Sequence, residues 1–329
     1  YDSINFSLLK EKYNKFLNSE KSLQFLFHYQ WDQLHDYCKE SGIKIIGDMP
    51  IYVNYESVDV WSNPNLFKLN KHYKMEFQSG APPCELYVNG QIWGNPLYKW
   101  ENHKCSDFNW WKSRFKKLFS LVDFVRIDHF IGFCKFYQIP INKFNSIEGE
   151  WIKSPGMELF NSISGKFDLS RIIVEDLGSL TPNVIELREK FNFPGMKILQ
   201  TDLFNHDIKP DSYSKQSIVY TGTHDNQTII GWFNSLETEG HLNREYVLKQ
   251  LKTSKDLLHW AFIEKAYQAN SKWAIIPIQD ILGLDNSARF NTPGTESELN
   301  WVWRLEKGLI NQKVKQELKL LAISSGRHI

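Results

Sequence analysis

Six short apolar runs recur along the chain, each breaking into polar or acidic residues at its end. They are Ile43-Lys44-Ile45-Ile46-Gly47-Asp48, Phe124-Val125-Arg126-Ile127-Asp128, Ile172-Ile173-Val174-Glu175-Asp176, Met196-Lys197-Ile198-Leu199-Gln200, Ser217-Ile218-Val219-Tyr220-Thr221 and Trp273-Ala274-Ile275-Ile276-Pro277-Ile278. Runs this short and this rich in β-branched residues suit strands buried on both faces, as in a parallel sheet. Helical stretches separate them. Residues 23–41 carry an apolar face and stop at Gly42, a residue suited to the left-handed turn that ends helices. Residues 107–121 carry a Trp110, Trp111, Phe115, Leu118 stripe. Thr181-Pro182 supplies an N-cap followed by proline at the first helical position. Residues 246–268 and 313–321 read as further helices. Strands alternating with helices indicate βαβ units.

The expected fold class is therefore α/β, a (β/α)8 TIM barrel formed as one catalytic domain over residues 1–329. A barrel of this kind has eight strands and the sequence shows six, so the expectation is that N-terminal barrel strands are lacking from this chain. Length is no obstacle, since such a barrel needs about 250 residues. Residues 52–104 are too irregular for one helix and read as an insertion, or lid subdomain, over the C-terminal ends of the strands. Loops at that face build barrel active sites.

Composition narrows the function classes. Lys and Arg total 39 against 38 Asp and Glu, a net charge of +1 with no basic stripe. That argues against nucleic acid and anionic membrane as partners. The aromatic share is 15%, with 12 tryptophans, which suits a ligand such as a sugar whose C–H faces stack on rings, although most such rings are core. Cys38, Cys84, Cys105 and Cys134 form no C-x-x-C pair and fit no zinc spacing, so they read as free thiols in a reducing compartment. The first residues, 1–5, do not resemble a signal peptide, and no apolar run approaches the roughly 18 residues of a membrane helix. The expected location is cytoplasmic, with a plastid as the second possibility.

Three acidic residues stand at or just past strand ends: Asp128, Glu175 and Asp225. They are about 47 and 50 residues apart, one or two βα units, so all three side chains would point into one mouth. An isolated acidic residue at such a place is more often a helix cap or a surface charge. Three together, each in an unusual local motif, suggest paired carboxylate chemistry instead. Glycoside cleavage needs this inventory, with one carboxylate to attack the anomeric carbon and one carboxylic acid to protonate the leaving oxygen. Arg126 lies two residues before Asp128 on the same strand and therefore on the same side. A guanidinium there favours the charged carboxylate that a nucleophile requires, and an ordinary interior salt bridge has the same geometry. His129 and His224 flank acidic candidates and can donate hydrogen bonds to hydroxyl groups. No Ser–His–Asp triad, phosphate loop or dinucleotide fingerprint is present.

At these residues the chain resembles the amylomaltase, or 4-α-glucanotransferase, family of the α-amylase superfamily. Gly47-Asp48-Met49-Pro50-Ile51-Tyr52-Val53 resembles its first barrel motif, and Asp59-Val60-Trp61 follows. Gly90-Gln91-Ile92-Trp93-Gly94-Asn95-Pro96-Leu97-Tyr98 resembles a loop carrying a sugar-contacting tryptophan. Val125-Arg126-Ile127-Asp128-His129-Phe130, Ile173-Val174-Glu175-Asp176-Leu177-Gly178 and Gly222-Thr223-His224-Asp225-Asn226 resemble the motifs of the nucleophile, the acid/base and the third acid. Arg289-Phe290-Asn291-Thr292-Pro293-Gly294-Thr295 and Asn300-Trp301-Val302-Trp303-Arg304 resemble the C-terminal signature. The resemblance runs in order from about Leu23 to near the end.

The resemblance implies a retaining double displacement. Asp128 attacks the anomeric carbon of an α-1,4-glucan while Glu175 protonates the departing oxygen. Glu175 then deprotonates the 4-hydroxyl of an acceptor, glucose or a maltooligosaccharide. Asp225 holds sugar hydroxyls at the transition state, and Arg126, His129, His224, Trp93, Asp48 and Asn291 are the implied substrate-binding positions. No metal and no cofactor are implied. The nearest alternatives are an α-glucan hydrolase and a non-catalytic glucan-binding fragment. The chain departs from the family's pattern in two further places. Pro82-Pro83-Cys84-Glu85-Leu86 replaces a lid sequence with two aromatics, and Ile131 stands where arginine is common.

Overall fold

The computed structural model describes residues 6–84, 88–178, 180–204, 209–237, 242–295 and 297–327. Residues 1–5, and the Glu85-Leu86 part of the lid sequence, lie outside them. Ten strands are described: β1 (Ile46–Met49), β2 (Phe77–Ala81), β3 (Gln91–Ile92), β4 (Phe124–Ile127), β5 (Lys135–Pro140), β6 (Glu150–Lys153), β7 (Ile172–Val174), β8 (Gly195–Ile198), β9 (Ser217–Tyr220) and β10 (Trp273–Ile275). All six apolar runs contribute strands, and these pair in parallel as β1-β4-β7 and β8-β9-β10.

Two hydrogen bonds stitch the halves together. Val174 N–H donates to the carbonyl of Pro194 at 3.0 Å, and Met196 N–H donates to Asp176 Oδ1 at 2.8 Å. Gly195 makes room for this carboxylate, because a Cβ there would fall 2.4 Å from Asp176 Oδ2. The strands thus follow one another in chain order along a parallel wall. The wall curls, because Phe124 on β4 meets Trp273 on β10 with ring centroids 4.7 Å apart. No strand among the described residues pairs with the outer edge of β1 or β10, so the wall is an α/β arc of six strands rather than a closed barrel.

Strand periodicity sorts the side chains. Successive residues point to opposite faces, so every second residue shares a face. Val125 and Ile127 of β4, with Ile172 and Val174 of β7, belong to the large core under the helices. The alternate residues Phe124, Ile173, Met196, Ile198, Ile218, Tyr220, Trp273 and Ile275 meet inside the arc as a separate apolar plug. Arg126 alternates in step with Phe124, so it lies on the inner face, above the plug.

Helices cover the outer face. Asn109–Leu121 buries Trp111 and Phe115 against the wall, as its stripe predicts. Asn14–Glu40 runs longer than its periodicity suggests and docks through Trp31, whose Nε1–H donates to the Leu121 carbonyl at 2.8 Å. The helix expected over residues 246–268 is two helices, Arg244–Leu251 and Leu258–Gln268. The break is local: Lys252 takes a left-handed conformation, φ +50°, that ends the first helix. After the helix Gln312–Ser324, Arg327 donates to the carbonyls of Tyr267, Ala269, Ser271 and Lys272 and ties the C-terminal end to β10's approach. No helix among the described residues is long and apolar enough to cross a membrane.

Residues 52–104 contain β2 and β3 and the short helices Val58–Ser62 and Trp100–Cys105. The strands pair antiparallel with a hairpin the sequence did not reveal, β5 and β6, giving the order β3-β2-β5-β6. Beneath them an aromatic cluster of Tyr98, Trp100, Trp110 and Trp111 encloses His103. His103 is fully buried, with Nε2 3.1 Å from the Leu66 carbonyl and Nδ1 unpartnered. Burial pushes its pKa down to about 4. The folded state keeps this imidazole neutral, while the unfolded chain takes up a proton below about pH 6.5. Stability is therefore unaffected above pH 6.5 and is lost as the pH falls toward 4. The expected loss between pH 7 and pH 5 is about 2 kcal/mol from this group. Urea unfolding at both pH values, with His103→Gln as the comparison, checks it; equal slopes for the two proteins would contradict it.

Candidate active site

Register brings the charged residues together. Asp48 of β1 pairs with Arg126 of β4, which pairs with Ile173 of β7. Moving two residues along β4 and β7 keeps the inner face and reaches Asp128 and Glu175, side by side at the C-terminal rim. The backbone fixes this rim. Glu175 N–H donates to the Ile127 carbonyl at 2.9 Å, Asp128 N–H to the Met49 carbonyl at 3.1 Å and Phe130 N–H to the Glu175 carbonyl at 3.0 Å.

One guanidinium joins three carboxylates. Arg126 Nη1 lies 2.5 Å from Asp48 Oδ2 and 3.1 Å from Asp128 Oδ1, while Nη2 lies 3.7 Å from Glu175 Oε2. Only 9% of the arginine side chain is exposed. Burial opposes its charge, but Asp48, Glu175 and Asp128 outweigh that and raise its pKa further. A fixed planar fork can serve several oxygens at once, which the single ammonium of lysine does poorly.

Glu175 is the perturbed acid. Burial and the neighbouring Asp128 charge lift its pKa well above the ordinary carboxylate range, against the pull of Arg126 and a backbone hydrogen bond. That hydrogen bond comes from His129, whose N–H donates to Glu175 Oε2 at 2.6 Å. His129 reaches it through a left-handed backbone, φ +47°, unusual for a residue with a side chain. Gly132 fits beneath this turn, where a Cβ would fall 2.4 Å from Ile51 Cδ1. The His129 ring meets Trp93 edge-on at 4.8 Å, with Nε2 buried and unpartnered. Trp93, from the irregular segment, thereby stands beside the rim.

Asp225 approaches from the loop after β9. Asn291 Nδ2 donates to its Oδ1 at 2.6 Å, Arg289 Nη2 to its backbone carbonyl at 2.8 Å, and His224 Nε2 lies 3.3 Å from its Oδ2. Burial works against the charged form of Asp225, yet His224 and Asn291 hold its pKa below the ordinary value. The same loop is anchored by Asp280, which accepts from Thr221 Oγ1 at 2.7 Å and Ile229 N–H at 2.8 Å. A hollow of about 330 Å³ opens beside it, lined by Arg126, Tyr220, His224, Ile276, Phe290 and Trp303.

The sequence-derived residues thus fall into two clusters on one rim: Asp48, Arg126, Asp128, Glu175, His129 and Trp93 on one side, and His224, Asp225 and Asn291 on the other. Arg126 borders both, since it also lines the hollow beside His224. Asn291 faces Asp225, a contact its motif could not announce. Arg289 and Asp280 support the Asp225 loop from outside the set of candidate residues. Arg289 opens the same motif as Asn291, whereas Asp280 follows a strand with no sequence signal. A raised acid beside a carboxylate held by a guanidinium is the chemistry of glycoside cleavage, in which one group donates a proton and the other attacks.

Comparison with known proteins gives an independent result. A family profile described as 4-alpha-glucanotransferase matches residues 2–311. The 4-alpha-glucanotransferase of Aquifex aeolicus is 38% identical over 329 residues, 95% of this chain and 66% of that protein. The chloroplastic/amyloplastic 4-alpha-glucanotransferase of Arabidopsis thaliana is 40% identical over 299 residues, 90% of this chain and 51% of that protein. Among solved structures, an amylomaltase from Streptococcus agalactiae in complex with acarbose superposes with a TM-score of 0.91 at 35% identity, over 97% of this chain and 65% of that one. The chain therefore spans about half to two thirds of the length of these relatives.

Proposed function

The chain belongs to the 4-alpha-glucanotransferase family, and from that premise we propose that its rim transfers α-1,4-glucan segments by a retaining double displacement. The carrying observation is the Arg126 fork, which holds Asp128 beside a Glu175 whose pKa is raised. Asp128 attacks the anomeric carbon and forms a covalent β-glucosyl ester. Glu175, still protonated in the free enzyme, gives its proton to the departing oxygen. The same carboxylate then takes the proton of an incoming 4-hydroxyl, which displaces Asp128 and restores the α linkage. Asp225, fixed by Asn291 and His224, receives the 2- and 3-hydroxyls of the distorted sugar. The expected separation of the Asp128 and Glu175 carboxyl groups in the loaded site is about 5–5.5 Å.

The donor is an α-1,4-glucan and the acceptor glucose or a maltooligosaccharide. The six-stranded arc is part of a (β/α)8 barrel, and residues 52–104 form its lid. Four free cysteines suit a reducing compartment, a cytoplasm or a plastid stroma. Incubation of the complete polypeptide with maltotriose tests the activity. Glucose released together with longer oligosaccharides supports transfer; new reducing ends with no longer products would make the site a hydrolase.

Glu175→Gln separates the acid role. It should slow transfer from maltotriose by about 10²–10⁴-fold and the first-turnover release of fluoride from α-glucosyl fluoride far less, because fluoride leaves without a proton. Equal slowing of both donors counts against Glu175 as the acid.

A further inference from the structure

Glu175 is held toward β4 by backbone alone, through its N–H to the Ile127 carbonyl and its carbonyl from Phe130 N–H. Toward β8 the backbone offers less. β7 and β8 form no ladder, and Val174 N–H to the Pro194 carbonyl, at 3.0 Å, is the backbone bond described between them. In a regular parallel ladder the next bond would run from Met196 N–H to the Val174 carbonyl. Here Met196 N–H donates to Asp176 Oδ1 at 2.8 Å instead. A side-chain carboxylate has taken the place of a backbone acceptor, one residue from Glu175.

That carboxylate is only 1% exposed, and Arg188 holds it, with Nη1 2.5 Å from Oδ2. Arg188 stands on the helix Pro182–Lys190, which rests on the core through Val184 and Leu187. Its Nη2 lies 3.6 Å from Glu189. Gly195 closes the cradle, since a Cβ there would fall 2.4 Å from Oδ2 and 2.6 Å from Oδ1 of Asp176. A buried ion pair adds little stability over apolar residues of the same volume, because desolvation offsets the attraction. What it does supply is a fixed geometry. Here the geometry is that of the end of β7, joined at once to β8 and to the helix layer.

Building on the glucan-transfer reading, we infer that Asp176 and Arg188 are positioning residues for the acid/base Glu175. They hold the end of β7 where the ladder is missing, and so set the reach of the Glu175 carboxyl toward the glycosidic oxygen. They act from the helix side of the wall and do not touch the sugar. Their loss therefore harms the step that needs the Glu175 proton and spares a leaving group that needs none.

The test uses the complete polypeptide and two donors, maltotriose and α-glucosyl fluoride. Arg188→Met should lower kcat/KM for maltotriose by about 10²-fold and slow first-turnover release of fluoride by less than about threefold. Arg188→Lys keeps the charge and should recover most of the loss. Because Arg188→Met strands a buried carboxylate, two further variants keep the test independent of its folding. Asp176→Asn combined with Arg188→Met leaves no buried charge, and its amide oxygen can still accept from Met196 N–H. Gly195→Ala displaces the Asp176 carboxylate without altering any charge. Both should slow maltotriose by about tenfold while sparing fluoride release. In a Glu175→Gln background the same changes should slow maltotriose by less than about threefold more, because the group they position is already gone. Equal slowing of the two donors overturns the inference, since a general loss of structure has no reason to spare fluoride. So do full losses that multiply with Glu175→Gln, or variants with the parent's rates. If the parent itself neither transfers from maltotriose nor releases fluoride, the glucan-transfer reading fails, an outcome distinct from an active parent whose variants show no donor preference.

Discussion

Asp128→Asn should leave a folded protein whose transfer from maltotriose falls by about 10⁴-fold or more. The expectation follows from shape and charge. The amide matches the carboxylate in size, so the rim can keep its packing, but it cannot attack an anomeric carbon. The fold should survive because the wall rests on the apolar plug of Ile173, Met196, Ile218 and Tyr220 and on the helix-covered core, neither of which includes Asp128. Thermal melts of the two proteins should agree within a few degrees. Activity within tenfold of the parent would remove Asp128 from the mechanism.

Arg126→Met should be nearly as damaging, for a different reason. The substitution removes the guanidinium that Asp48, Asp128 and Glu175 share and leaves their carboxylates facing one another. Removing one partner of a buried ion pair typically costs about 3–5 kcal/mol, and a loss of that size at the transition state lowers kcat/KM by about 10²–10⁴-fold. The pH profile gives a signed check. Arg126 lowers the pKa of Glu175, so its removal raises that pKa again. Glu175 must be protonated to act on the leaving oxygen, so the alkaline limb of kcat/KM should move to higher pH as the rate drops. Arg126→Lys should recover a part of the rate, since a point charge cannot span the same oxygens. An alkaline limb that stays in place, or moves to lower pH, would show that the guanidinium does not govern Glu175.

How much of this was legible in the sequence depends on the range of the interactions. The six parallel strands were readable because most are written as short apolar runs rich in β-branched residues, a pattern visible whatever they pack against. Arg126 and Asp128 were readable as neighbours because a spacing of two fixes a shared face. The lateral grouping of Asp48 with Arg126, and of Asp128 with Glu175, needed the register between strands far apart in the chain, which no local pattern encodes. The β5–β6 hairpin was missed because polar residues such as Lys135, Gln138 and Glu150 interrupt its apolar pattern, although residues 136–139 of β5 are buried. The split of residues 246–268 into two helices turned on left-handed Lys252 and the polar run Lys252-Thr253-Ser254-Lys255-Asp256 that it opens, which interrupts the apolar period. His129 is the instructive case. Its sequence position suggested a side chain reaching for hydroxyl groups, whereas the backbone N–H serves Glu175 and the ring packs on Trp93. Which half of a residue does the work is a matter of φ and packing rather than of residue type.

The account turns on the bond that Asp128 forms with the sugar. The most direct measurement is to treat the complete polypeptide with 5-fluoro-α-D-glucosyl fluoride, whose ring fluorine slows turnover of the intermediate. Digestion and mass spectrometry then locate the label. A single fluoroglucosyl ester on the peptide that contains Asp128, absent from the Asp128→Asn protein, is the predicted result. A label on Glu175 or Asp225, or turnover with inversion at the anomeric carbon and no ester at all, would contradict it.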